Sequence, residues 1–309
     1  MSAVRSSTAT ATTATADPTS TGRFAPSPTG PLHLGSLVAA VGSYLDARSA
    51  GGRWRVRLED LDTSRNVDGA DVAILDTLHA FGFIVDGEVV RQSQRLALYD
   101  SAIADLERQG LLFHCRCSRR EIAAAGPGEE PRCVGGCRTR SWGPADAAIR
   151  VALDRLTGRH LRDRSGRDIR FDPGVHTDVV IRRRDGVIAY PLAVVVDDAD
   201  QGVTDVVRGG DLLSSTPWQV GLLQALSLPL PRYLHLPVVV EPGGAKLAKS
   251  RRSVPLDAAA APALLRRALE MLGQPRPDGD AADHVESIWA TAIARWDPAA
   301  ASRVAEVTA

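Results

Sequence analysis

Lysine is almost missing from this chain of 309 residues. Of its 37 basic residues, 35 are Arg, and the only Lys are Lys246 and Lys249. Where either cation would serve, the sequence uses Arg. The two exceptions stand three residues apart in KLAKS, which points to a need there for a compact, flexible ammonium. A surplus of either charge is also lacking, because 37 acidic residues match the 37 basic ones. That excludes a protein coated in positive potential, but not a local basic face. No apolar run approaches the ~20 residues needed to cross a bilayer, so no membrane role is expected. Residues 1–21 have no apolar h-region and hold one Arg (Arg5) and one Asp (Asp17) among Ser, Thr and Ala. They read as a disordered tail rather than a secretory signal.

Cysteine is scarce and confined to one stretch. Cys115, Cys117, Cys133 and Cys137 form C-x-C, fifteen intervening residues, then C-x3-C. Disulfide scaffolds are usually shorter chains with Cys spread along them. Clustering without a signal peptide favours a metal site in a reducing cytoplasm. Four thiolates suit one tetrahedral Zn2+ in a closed structural site, the alternative being buried free thiols; His114 reads as a strand-end residue before a substitute ligand.

What is present reads as an α/β protein. Residues 22–25 (GRFA) predict a strand, PSPTGPLHLG a loop, and the spacing of apolar residues a helix from His33 to about Arg48. RWRVRLEDL at 53–61 alternates as a strand, and helices follow over about 68–81 and 94–109. The stretch 148–189 is polar and strand-like. AYPLAVVVDD at 189–198 reads as the sheet resuming, VTDVVRGGDLL leads into a helix STPWQVGLLQALS, and LHLPVVV reads as a buried strand. The segment from about 257 to 309 is Ala-rich and helical. Strands alternating with helices imply a parallel sheet covered on its faces.

Two motifs carry chemistry. PSPTGPLHLG leaves a strand and enters a helix at His33. Amide groups at a helix start attract phosphate, and Gly35 allows close approach. In KLAKS, two ammonium groups could neutralise charge on a pyrophosphate leaving group. Arg clusters at 182–184, at 159–170 and at Arg251–Arg252 are candidate phosphate contacts, or solvated faces.

Together HLGS and KLAKS resemble the paired signature motifs of class I aminoacyl-tRNA synthetases. RFAPSPTGPLHLG, RLEDLD and VVRGGDLLSSTPWQ are similar to the glutamyl-tRNA synthetase family, over most of residues 22–252. Three features resemble its glutamyl-Q tRNA(Asp) synthetase branch: a chain ending 59 residues after Ser250, Ser36 in place of the second His, and the Cys cluster. Within that branch a Tyr often stands where this chain has Cys133. Ala248 departs from the usual Ser, while both Lys are kept.

The resemblance implies a Rossmann-like catalytic domain at 22–256. It would carry a zinc-bearing insertion at about 115–137 and a further insertion at about 148–189. A helical segment at 257–309 would follow, without an anticodon-binding domain. It implies an enzyme that activates L-glutamate with ATP and Mg2+, then attaches it to the queuosine base of tRNA(Asp). The alternatives are charging of a tRNA 3′ end and a catalytically silent tRNA-binding paralogue. By resemblance His33, Gly35 and Lys249 contact ATP, with Lys246 assisting. Arg23, Phe24, Ala25, Pro26, Ser27 and Arg208 give positive and polar contacts to glutamate. Glu59 faces its amino group and Tyr190 offers a hydroxyl. Two Arg would answer two carboxylates, with either Arg taking either one. A cytoplasmic monomer with one structural Zn2+ is expected.

Overall fold

The computed structural model describes residues 20–124, 132–140, 142–240, 255–276, 283–302 and 305–308. Its centre is a parallel five-stranded sheet built from β1 (Thr21–Phe24), β2 (Arg53–Leu58), β3 (Val90–Arg91), β9 (Asp205–Gly209) and β10 (Arg232–Leu236). The strand order is β10-β9-β1-β2-β3. The chain therefore winds outward from β1 in one direction through β2 and β3. It later returns to the other side of β1 through β9 and β10. The reversal makes a crevice at the carboxyl ends of β1 and β9, where α/β sheets bind ligands.

Helix α1 (Leu34–Ser49) crosses from β1 to β2, and α2 (Ala70–Ala80) precedes β3. α1 is buried along most of its length. Trp54, Tyr44, Phe83 and Trp289 pack there edge to face or stacked, with ring centres 4.7–5.2 Å apart. This core includes α7 (Ala261–Met271) and α8 (Val285–Ala294).

After α3 (Leu96–Arg108), the chain forms a second layer. β4 (Leu112–Cys115), β5 (Ala148–Ala152) and β8 (Asp178–Arg182) pair antiparallel. The short helix α4 (Arg119–Ala124) follows β4, and β6 (Arg159–Arg162) with β7 (Asp168–Phe171) makes a hairpin. A second core joins these strands to α3, α5 (Tyr190–Asp200) and α6 (Thr216–Ala225).

Most of the expected elements are present with shifted ends, and three differ. The segment 189–198 is not a strand but lies mainly in α5. Its Val run favours strands by propensity, but Leu192 to Asp198 are buried without a break. A helix covered on nearly every side meets its backbone bonds internally, and Pro191 suits its first turn. LHLPVVV is two strands, β10 and β11 (Val238–Val240), broken at Pro237, which has no N–H for a ladder. The C-terminal segment ends in a strand, β12 (Glu306–Thr308), parallel to β11. At the other end, β1 starts at Thr21, inside the span expected as tail, with Ser20 already buried.

Candidate active site and metal centre

A cavity of about 560 Å3 opens at the carboxyl ends of β1 and β9. Its walls come from Phe24, the last residue of β1, to Ser27, from His33, Gly35 and Ser36 at the start of α1, from Gly209, the last residue of β9, and Asp211, and from Pro237 to Val239. His33 is the N-cap of α1, and Ser36 N–H donates to its Nδ1 at 3.4 Å. An accepting Nδ1 leaves the neutral ring's proton on Nε2. Gly35 has the His33 ring against it: a Cβ there would lie 3.1 Å from Cε1 and 3.2 Å from Nδ1. The loop is tied down on both sides, because Glu59 N–H donates to Pro26 O and Val67 N–H to Pro28 O.

Beside the cavity lies a buried charge cluster. Arg23 is 3% exposed and pairs with Asp198 at 3.2 Å. Arg57 is fully buried; it reaches Asp198 at 2.8 Å, Glu59 at 3.4 Å and Asp197 at 3.5 Å. Arg208 donates to Tyr190 Oη at 3.3 Å and to Thr216 Oγ1 at 2.8 Å. It has no carboxylate partner among the described residues, and its buried Nε is unsatisfied. A guanidinium taken out of water without a counter-charge is costly, so the site favours an anion.

Burial dominates Glu59 and raises its pKa, against the opposing pull of Arg57 and then Arg23. Burial also raises the Tyr190 phenol, which stays protonated as a donor. Burial works against the charge on Asp198, but Arg23 and Arg57 together hold it below the ordinary carboxylate range.

The four Cys converge. Their sulfurs all lie within 4.8 Å of one another, with Cys117 Sγ 3.8 Å from Cys133 Sγ and 3.6 Å from Cys137 Sγ. None is disulfide-bonded. Tetrahedral coordination at a metal–sulfur distance of ~2.3 Å requires sulfurs ~3.8 Å apart, so the set fits one ion. β4 supplies Cys115. Gly135 makes the knuckle tight enough, since a Cβ on it would stand 3.0 Å from Cys117 Sγ. Cys133 N–H donates to both Asp178 oxygens at 3.2 Å, and Asp178 is paired with Arg150. The knuckle is thus anchored to β5 and β8. This cluster can bind a metal ion.

The family of class I tRNA synthetases (E and Q), catalytic domain, matches residues 20–261. A glutamyl-Q tRNA(Asp) synthetase of Ectopseudomonas mendocina is 54% identical over 257 residues, covering 83% of this chain and 86% of that relative. One from Pseudomonas aeruginosa is 51% identical over 277 residues, covering 89% of this chain and 93% of its own length. The chain belongs to the glutamyl-Q tRNA(Asp) synthetase family. Its fold is also that of a glutamate tRNA ligase from Elizabethkingia meningosepticum. That likeness has a TM-score of 0.76 at 24% identity and covers 94% of this chain and 67% of that one. Membership of a class I synthetase family carries ATP, an amino acid and tRNA as partners. No helix among the described residues is long and apolar enough to cross a membrane.

Of the residues expected from this family, Arg23, Glu59, Tyr190 and Arg208 share the one buried cluster. Phe24, Ala25, Pro26, Ser27, His33 and Gly35 line the adjoining cavity. Lys246 and Lys249 lie outside the described residues. Both ends of their segment are described, however. Val239 packs against Gly35, and Leu256 N–H donates to Leu32 O at 3.3 Å. The sequence reading missed Arg57, Asp197, Asp198 and Gln201. Charges set inside the apolar runs RWRVRL and LAVVVDD were the available signal.

Proposed function

We propose that this chain activates L-glutamate with ATP to glutamyl-adenylate and then transfers glutamate to the queuosine base at the wobble position of tRNA(Asp). The observation that carries the reading is the charge pattern beside the cavity. Arg208, buried without a carboxylate partner, and Arg23 suit the carboxylates of an acidic amino acid, while Glu59 suits its ammonium. Tyr190 adds a hydroxyl donor, and Phe24 to Ser27 wall the pocket.

In the first step the α-carboxylate oxygen of glutamate bonds to the α-phosphorus of ATP. The bond from that phosphorus to pyrophosphate breaks. In-line displacement of this kind depends on positioning and charge stabilisation. His33, with its proton on Nε2, and the helix start at Gly35 receive the nucleotide phosphates. Lys249, aided by Lys246, stabilises the departing pyrophosphate; the anchoring of both ends of their segment beside α1 supports this. Mg2+ enters with ATP as part of the substrate. In the second step a hydroxyl of the modified base attacks the adenylate carbonyl, and AMP leaves.

Cys115, Cys117, Cys133 and Cys137 hold one structural Zn2+; four protein ligands leave no open position for chemistry. Metal analysis of the purified chain is expected to give one zinc per chain, and Cys133→Ser to lower it well below one. Full zinc content in that variant would remove Cys133 from the ligand set. The enzyme works as a cytoplasmic monomer.

The deciding experiment supplies labelled glutamate, ATP and tRNA(Asp), with and without queuosine. Label is expected only on the modified tRNA and at the anticodon. Label on the 3′ adenosine would make the chain an ordinary glutamyl-tRNA synthetase. No glutamate-dependent ATP–pyrophosphate exchange would make it a silent paralogue.

A further inference from the structure

The pocket holds one more buried guanidinium than an acidic amino acid needs. Arg57 reaches Asp198 at 2.8 Å, Glu59 at 3.4 Å and Asp197 at 3.5 Å, and it donates to Gln201 Oε1 at 2.8 Å. Asp198 in turn pairs with Arg23. The four side chains form a row of alternating sign: Arg23, Asp198, Arg57, Glu59. The ends of that row are the two groups assigned above to opposite ends of the amino acid. The middle two touch neither end of it.

We propose that Arg57 is the positioning residue of the ammonium end of the pocket. Its guanidinium, 3.4 Å from Glu59, favours the anionic form of that carboxyl, aims it at the amino group and, through Asp198, spaces it from Arg23. The inference rests on the reading of Glu59 given above. A planar fork with five donors can engage Asp197, Asp198 and Glu59 together, which an ammonium cannot.

The groups around Glu59 decide what happens without Arg57. From β1 comes Arg23, already engaged by Asp198. From α5 come Asp198, which repels a negative Glu59, and the Tyr190 hydroxyl, backed by Arg208 of β9. Asp197 is held besides by Arg95 and by Gln92 and Tyr99, so it does not depend on Arg57 alone. Burial already outweighs Arg57 and Arg23 at Glu59, and with Arg57 neutral the larger opposing pull is gone, so the carboxyl holds its proton to still higher pH. A neutral carboxyl does not pair with an ammonium. Binding of glutamate then improves as pH rises and Glu59 ionises.

The test is glutamate-dependent ATP–pyrophosphate exchange by the full chain, without RNA, from mildly acidic to mildly alkaline pH. Arg57→Gln is expected to raise KM for glutamate by about tenfold or more, the effect of losing a charged hydrogen bond. KM for ATP should hold within about twofold by the same measure. The glutamate KM of the variant should fall more steeply with rising pH than that of the parent. Glu59→Gln should raise the glutamate KM at every pH, and adding Arg57→Gln to it should cost little more, since the two act as one unit.

A pH-independent loss shared equally between glutamate and ATP would overturn the proposal and leave Arg57 a structural residue. So would additive effects of the two substitutions. Thermal melting checks that each variant folds. If Arg57→Gln does not fold, Arg57→Lys decides: it keeps the charge but not the fork, and a glutamate KM equal to the parent's would refute positioning by Arg57. If the parent itself shows no glutamate-dependent exchange, the proposed function fails before this inference is reached.

Discussion

Gly35 has room for a hydrogen and little else. A Cβ there would press on the His33 ring at 3.1 Å, with Val239 in ordinary contact at 3.6 Å on the other side. Ring and strand both wall the cavity, so Gly35→Ala would move the imidazole by a few tenths of an ångström. A small displacement of a positioning group can cost a large factor in rate or affinity. We expect Gly35→Ala to fold with nearly the parent's melting temperature and to raise KM for ATP severalfold in exchange assays at saturating glutamate. An unchanged ATP KM would detach His33 from the nucleotide. Residues such as Gly35 and His33 were legible because a loop, a glycine and a helix start are adjacent in sequence. Arg57 was not. In RWRVRL, alternation puts Arg53, Arg55 and Arg57 on the polar face of a strand. That inference assumes one face meets water. Here α5 covers the face as well, and Arg57 is fully buried although Arg53 is exposed. A parallel sheet is buried on both sides, and only the three-dimensional pairing with Asp198 shows why an Arg is tolerated there.

At the scale of elements, the contact between α6 and β7 sets opposing effects against each other. Gly221 lies inside α6, where Ala would normally gain about 1 kcal/mol in helix stability. Yet a Cβ at 221 would stand 2.7 Å from Phe171 Cε2 and 3.1 Å from Leu153 Cδ1. Phe171 is 2% exposed and its ring has nowhere to retreat. Overpacking of that kind costs about 1–3 kcal/mol, so the clash should win. Gly221→Ala is expected to lower the melting temperature, and adding Phe171→Leu should recover part of the loss. A more stable single variant would mean that the inserted hairpin yields easily. α5 teaches the complementary lesson. Its Val run favours a strand locally, but a helix wedged between α3, α6 and β8 is chosen by what surrounds it. The order of β1, α1 and β2 was readable because each carries its own period and stop. The fate of 189–198 depended on packing partners outside the segment, α3 among them, whose Tyr99 donates to Asp197 across 98 positions of chain.

Across the whole molecule, a buried chain of contacts joins the candidate pocket to the inserted hairpin. Arg208 donates to Thr216, Thr216 Oγ1 lies 3.2 Å from His235 Nε2, and His235 Nδ1 lies 2.9 Å from Asp163 in the turn between β6 and β7. The neutral imidazole donates from Nδ1, and Asp163 also receives the amides of His235, Ser165 and Arg167. Burial lowers the His235 pKa below 6.5, opposed by Asp163 and reinforced by Arg208 and Arg167. Burial works the other way on Asp163, but its hydrogen bonds from His235, Ser165 and Arg167 hold it down at about 2. The unfolded chain therefore takes up a proton at His235 before the folded one does. Stability from keeping His235 neutral is present in full above pH 6.5 and is lost as pH falls toward the folded value. Asp163 remains ionised through that window and adds its own loss only in strong acid, from the usual carboxylate range of ~3.9 downward. Melting temperature is thus expected to fall from neutral to mildly acidic pH. His235→Gln, which has no such proton to take up, should melt lower at neutral pH but lose less on acidification. Equal slopes for parent and variant would mean that His235 ionises as freely in the fold as out of it, and that the link from hairpin to pocket carries no charge constraint.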